Sequence, residues 1–83
     1  MYTLRLSRQA EKYIKKQDRT QAKRLRDAID KLKEDPHIGE FLTNHENEYK
    51  FRVGDYRILY DVNETEVIIS VVKVMSRGQS YKR

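Results

Sequence analysis

Tyr2, Leu4 and Leu6 alternate with Thr3, Arg5 and Ser7, the period-two pattern of a half-buried strand. The period then lengthens. Ser7 stands where a helix N-cap belongs, and Ala10, Tyr13, Ile14 and Gln17 fall on one side of a short helix, with Glu11, Lys12, Lys15 and Lys16 on the other. Asp18 followed by Gln21 predicts a capping box, and Ala22, Leu25, Ile29 and Leu32 recur at helical spacing until Asp35-Pro36 ends the helix. The two helices form a hairpin. His37 to Asn47 has no sustained period, contains Gly39, Thr43, Asn44 and Asn47, and reads as a loop. Tyr49, Phe51 and Val53 then alternate with Lys50 and Arg52, Gly54-Asp55 supplies a two-residue turn, and Tyr56, Ile58, Tyr60 and Val62 alternate with Arg57, Leu59 and Asp61. After the polar turn at Asn63-Glu64-Thr65-Glu66, the run from Val67 to Met75 is almost unbroken in β-formers, which predicts a central strand covered on both faces. The order is βααβββ: an α+β domain with a helix hairpin packed on a small, mostly antiparallel sheet.

With 83 residues and no linker, repeat or low-complexity tract, residues 1–83 form a single domain. A chain this short buries only about 60% of its unfolded surface. Charged residues make up 37% of it, but an equal hydrophobic share with six Tyr and two Phe argues for a packed core over disorder. The absence of cysteine excludes disulfides and thiolate zinc sites, and two histidines make a poor metal site, so no metal or cofactor is expected. No apolar run approaches a membrane span or a signal peptide, which places the chain in the cytosol without a membrane partner.

The formal net charge of +5 favours an anionic partner. Its distribution sharpens this. Met1 to Arg26 holds nine basic and two acidic residues, Pro36 to Glu48 has three acids and no Lys or Arg, and Lys73 to Arg83 has four basic residues and no acid. In the central hairpin the two-residue turn sets Val53 opposite Tyr56, Arg52 opposite Arg57 and Lys50 opposite Leu59, so that Lys50, Arg52 and Arg57 share a face. Like charges directly opposite one another are unfavourable, and a polyanion relieves them. A solvated face on which Asp61 or Glu48 neutralises the arginines fits the same pattern. Phosphate matches the cluster because Arg offers a planar fork and Lys a compact charge. RNA cleavage by attack of the 2′-hydroxyl on the adjacent phosphate is then accessible; it needs a proton acceptor, cations around the developing charge and relief for the leaving 5′-oxygen. Of the three, only Lys50 can act as a base, because arginine stays protonated. In the tail, Arg77, Tyr81, Lys82 and Arg83 put an aromatic among cations, a combination that stacks a base while holding its phosphate. A frayed terminus or a partner-docking tail has the same composition. The basic helix residues Arg8, Lys12, Lys15, Lys16, Lys23, Arg24 and Arg26 suit a solvated face as well as contact with RNA phosphates.

The run Tyr49-Lys50-Phe51-Arg52-Val53-Gly54-Asp55-Tyr56-Arg57-Ile58-Leu59-Tyr60, a β-rich strand after it, and Arg77-Gly78-Gln79-Ser80-Tyr81-Lys82 resemble the RelE/ParE toxin superfamily of type II toxin–antitoxin modules. The likeness is strongest to the RelE branch. It implies a RelE-like microbial RNase fold and an endoribonuclease that enters the ribosomal A site, cuts mRNA there and so inhibits translation. It also implies a cognate RelB-like antitoxin, which would present an amphipathic helix in an oligomeric complex. By position, Lys50 and Arg52 match the two basic residues before the turn, one of them the proton acceptor. Arg57 matches the arginine that stabilises the transition-state charge, Arg77 the arginine at the leaving group and Tyr81 the tyrosine that stacks on an mRNA base. Lys73, Lys82 and Arg83, which match no named family position, are expected to bind RNA beside them. Two positions depart from the pattern: Arg52 stands where some relatives have Lys, and Ser76 where many have His. His37 and His45 match no catalytic position and are expected on the surface. The superfamily also includes ParE-like inhibitors of DNA gyrase, which need no catalytic residues, and a catalytically weak antitoxin- or RNA-binding member shares the same fold.

Overall fold

The computed structural model describes residues 2–42 and 48–76. Strand β1 (Thr3–Leu6) turns its alternate side chains toward the core and runs into helix α1 (Arg8–Lys16). Ser7 makes that transition possible, its Oγ accepting the Ala10 N–H at 3.1 Å. Helix α2 (Arg19–Glu34) is capped by Asp18, whose Oδ1 accepts the Gln21 N–H at 2.8 Å, and it stops at Asp35, before Pro36. The two helices bury Ala10, Ile14, Leu25, Ala28, Ile29 and Leu32 against one face of the sheet.

The sheet consists of β1, β2 (Glu40–Phe41), β3 (Glu48–Val53), β4 (Tyr56–Asn63) and β5 (Ile68–Ser76), in the order β1-β5-β4-β3-β2. Only the β1–β5 pair is parallel. The expected class therefore holds, with two helices packed on a mostly antiparallel sheet and one strand more than the pattern of the chain predicts. That extra strand, β2, lies within the segment read as a loop. Its two residues are exposed and pair with Tyr49 and Lys50, so no hydrophobic period announces it.

The β3–β4 hairpin has the predicted register, Val53 opposite Tyr56 and Arg52 opposite Arg57. Gly54 takes φ +59, the left-handed conformation that the first residue of such a tight turn requires. The reading of β5 as a strand covered on both faces is corrected. Ile69, Val71 and Val74 are buried beneath the helices, but Val72 and Lys73 are exposed. The strand is interior to the sheet, while both described helices lie on one side of it, so β-formers on the other side reflect strand propensity and not burial.

Candidate functional site

Four of the candidate cations are positioned by strand pairing. Lys50 stands opposite Leu59, Arg52 opposite Arg57, Arg57 also opposite Met75, and Leu59 also opposite Lys73. Residues directly opposite share a face, so Lys50, Arg52, Arg57 and Lys73 lie together on the side of the sheet away from the helices. Lys73 reaches this side through an irregularity. The pairing shifts between Leu59 and Tyr60, with Val71 opposite Tyr60 and Lys73 opposite Leu59, leaving Val72 as the extra residue of a β-bulge. Unbroken alternation from the buried Val71 would have turned Lys73 toward the core. The bulge is held from α1: Ser7 Oγ donates to the Val72 carbonyl at 2.6 Å, and the Gln9 amide both donates to the Val74 carbonyl and accepts the Val74 N–H, each at 3.1 Å.

Charge on this face is divided along the strands. The cations occupy the end nearest the hairpin turn. At the other end register sets Glu48 opposite Asp61, so these acids face each other and not the arginines. Burial, with the Glu48 charge as a smaller cause, raises the Asp61 carboxyl above its ordinary pKa. Among the described residues the acid paired with the cations is Glu40 of β2, whose Oε1 is 3.7 Å from Lys50 Nζ, a charge contact too long for a hydrogen bond. Arg52 and Arg57 have no ion pair among the described residues. Among the described residues the arrangement presents two guanidinium groups without an ion pair beside a half-buried lysine, which suits a phosphodiester anion.

Arg77, Tyr81, Lys82 and Arg83 lie outside the described residues, as does His45. His37 is not paired with the cations; its Nε2 is 2.8 Å from Glu64 Oε2 and its ring packs edge-on against Tyr49. Among the described residues no cluster of three or more His, Cys, Asp and Glu is placed to hold a metal ion, and no helix is long and apolar enough to cross a membrane. Sequence reasoning missed the roles of Ser7 and Gln9 in aiming Lys73. Ser7 reads as a helix cap alone, and the polar Gln9 in the first turn of a helix carries no signal of a contact with a strand 65 residues away.

Residues 4–81 match the family model of the ParE toxin of type II toxin–antitoxin systems, parDE. The chain belongs to the RelE/ParE toxin superfamily. It is thus a toxin of a type II toxin–antitoxin system with a RelE-like fold. The structural likenesses run across bacteria and archaea. The toxin is similar to a chain of the intact E. coli RelBE toxin–antitoxin complex, at 25% identity and a TM-score of 0.81, covering 92% of this chain and 96% of that one. It is similar to a chain of the archaeal RelE-RelB complex from Pyrococcus horikoshii OT3, at 26% identity and TM-score 0.78, covering 94% and 97%. The RelBE2 complex of Mycobacterium tuberculosis contains a third similar chain, at 26% identity and TM-score 0.75, covering 92% and 98%. Comparison with curated proteins finds no match.

Proposed function

We propose that the toxin is an endoribonuclease that cleaves mRNA in the ribosomal A site and so blocks translation. The observation that carries this reading is the gathering of Lys50, Arg52, Arg57 and Lys73 on one face, with Glu40 as the single acidic contact of the four among the described residues. In the proposed reaction Lys50 takes the proton of the 2′-hydroxyl, whose oxygen attacks the neighbouring phosphorus. The bond to the 5′-oxygen breaks as that oxygen takes a proton from water, leaving a 2′,3′-cyclic phosphate and a 5′-hydroxyl. Arg57 and Arg52 stabilise the charge on the phosphorane, Arg77 relieves the leaving oxygen, and Tyr81 stacks on a base. Lys73, Lys82 and Arg83 hold flanking phosphates. The reaction takes place in the cytoplasm. A cognate RelB-like antitoxin, inferred from likeness to chains solved in complexes with such proteins, would restrain it by presenting an acidic amphipathic helix to the cationic toxin within an oligomeric assembly.

A second reading has one observation in its favour: the matching family model is that of ParE. Under it the chain inhibits DNA gyrase by binding. A translating extract separates the two. Added toxin should produce cuts at codon positions in ribosome-bound mRNA, and Arg57→Ala should lower the rate about 10²-fold or more, the usual effect of removing a charge-stabilising group. Intact mRNA with loss of DNA supercoiling would establish the second reading instead.

A further inference from the structure

Two uncharged side chains stand among the cations on the outer face of the sheet. Leu59 lies between Lys50 and Lys73 in one cross-strand row, and Met75 shares the next row with Arg57 and Arg52. Because Met75 is two residues beyond the partner of Leu59, the pair are diagonal neighbours on the same face, about 7 Å apart. Both are half-buried, and the described helices cover the other face.

Neither residue is explained by the strand that carries it. Strand propensity brings β-branched and aromatic residues to a pleated surface; leucine and methionine are not among them. The solvated face of an antiparallel sheet ordinarily alternates to polar residues, and an acid at position 59 would relieve the repulsion of the cations around it. An apolar side chain stands there instead. The following row sets Glu48 opposite Asp61, with Ser70 beyond. These acids repel an anion, so they confine its charge to the two cationic rows, and Leu59 marks the border between the two signs.

We infer that Leu59 and Met75 form the seat of one unpaired nucleobase of a single-stranded RNA whose phosphates lie on Lys50, Arg52, Arg57 and Lys73. The seat presupposes that this face binds RNA, as proposed above, and adds a contact that depends on the base. Phosphate groups alone would use the cations and leave the apolar pair in water; a nucleotide covers both, because every base carries a flat π-face beside its charged backbone. Methionine suits this contact, since its polarizable sulfur is attracted to aromatic rings. An acidic amphipathic helix fits less well. It presents an apolar stripe several turns long, whereas Leu59 has Lys50, Lys73, Arg57 and Asp61 as its cross-strand and same-strand neighbours.

The test is binding of the full 83-residue chain to a 2′-O-methyl RNA hexanucleotide, which cannot be cleaved by 2′-hydroxyl attack, beside an abasic strand with the same number of phosphates. The intact strand should bind about tenfold more tightly. Leu59→Thr, which keeps a strand-forming residue, should weaken the intact strand about fivefold and leave the abasic strand unchanged. Its salt dependence should match that of the parent, because no charge is removed, and Leu59→Met should bind like the parent. The Met75 methyl signal in NMR should move upfield with the intact strand, as a methyl beneath a ring face does, and stay in place with the abasic one. If Leu59→Thr fails to fold, that signal in the parent protein decides. Equal binding of the two strands, a Leu59→Thr loss common to both, or an equal Met75 shift with both would overturn the seat. So would a helical peptide rich in Glu and Leu whose affinity falls with Leu59→Thr while that of the RNA does not, since the apolar pair would then serve a protein partner. Base-dependent binding by a toxin that leaves mRNA intact in the translating extract would uphold the seat and overturn the ribonuclease reading alone.

Discussion

Two residues show how single positions carry the frame on which the cations sit. Val67 adopts φ 58 at the end of the β4–β5 turn, a conformation in which a β-branched side chain is crowded by its own backbone. Its side chain is exposed and repays little of that cost by packing. Val67→Asn should therefore stabilise the protein by about 1 kcal/mol, seen as a rise of roughly 5 °C in Tm; a fall would show that the valine is held by contacts worth more than its strain. Tyr60 is the opposite case, a fully buried phenol with both hydrogen-bonding roles filled. Its hydroxyl donates to the Pro36 carbonyl at 2.8 Å and accepts the Gly39 N–H at 3.0 Å, which fixes the path from α2 into β2 and thus Glu40 beside Lys50. Burial pushes the phenol up to about 12. Because the folded state favours the protonated form, this contribution is complete below pH 10 and is lost as pH rises through about 12. Tyr60→Phe should cost about 1–3 kcal/mol in urea unfolding, since it strands a donor and an acceptor while changing the apolar surface little.

At the scale of elements, legibility depended on whether the deciding interaction was local. The β3–β4 hairpin could be read in full, because Gly54-Asp55 sets the turn and alternation on either side sets the register. The helices could be read because Ser7, Asp18 and Asp35-Pro36 mark their ends within a turn of the residues they act on. What could not be read is set from far along the chain. The parallel pairing of β1 with β5 joins Thr3 to Ile68, and β2 exists only because β3 offers it an edge. The bulge at Val72 leaves no trace in a run of β-formers, since its backbone is satisfied by Ser7 and Gln9. That dependence makes a prediction. Exposed surface substitutions usually change stability by under about 0.5 kcal/mol, but Gln9→Ala should cost about 1–2 kcal/mol, because it leaves the Val74 N–H and carbonyl without their partners. Amide hydrogen exchange at Val74 should accelerate in parallel. A variant with parental stability and protection would mean that Gln9 does not hold the bulge.

Across the whole molecule, the outer sheet face is a charge-divided surface, and its acidic end bears on its cationic end. Asp61 faces Glu48, and its carboxyl is raised mainly by burial. A raised carboxylate opposes folding when ionised: the folded state prefers the protonated form, so stability is gained as pH falls from the folded value toward the unfolded one. Asp61→Asn should accordingly stabilise the protein at pH 7 by about 0.5 kcal/mol, the scale of a cross-strand like-charge pair, and the gain should vanish below pH ~3, where an unfolded aspartate is protonated too. The same substitution should act on binding through the other half of the face. If Lys50, Arg52, Arg57 and Lys73 each neutralise a phosphate of single-stranded RNA, log K should fall against log salt with a slope of about −3. Removing Asp61 takes away a repulsive charge without adding a phosphate contact, so affinity at low salt should rise while the slope stays the same; Lys73→Ala should instead reduce the slope by about 0.7. A slope that Lys73→Ala leaves unchanged would place the RNA away from the bulge and confine the working surface to the hairpin cations.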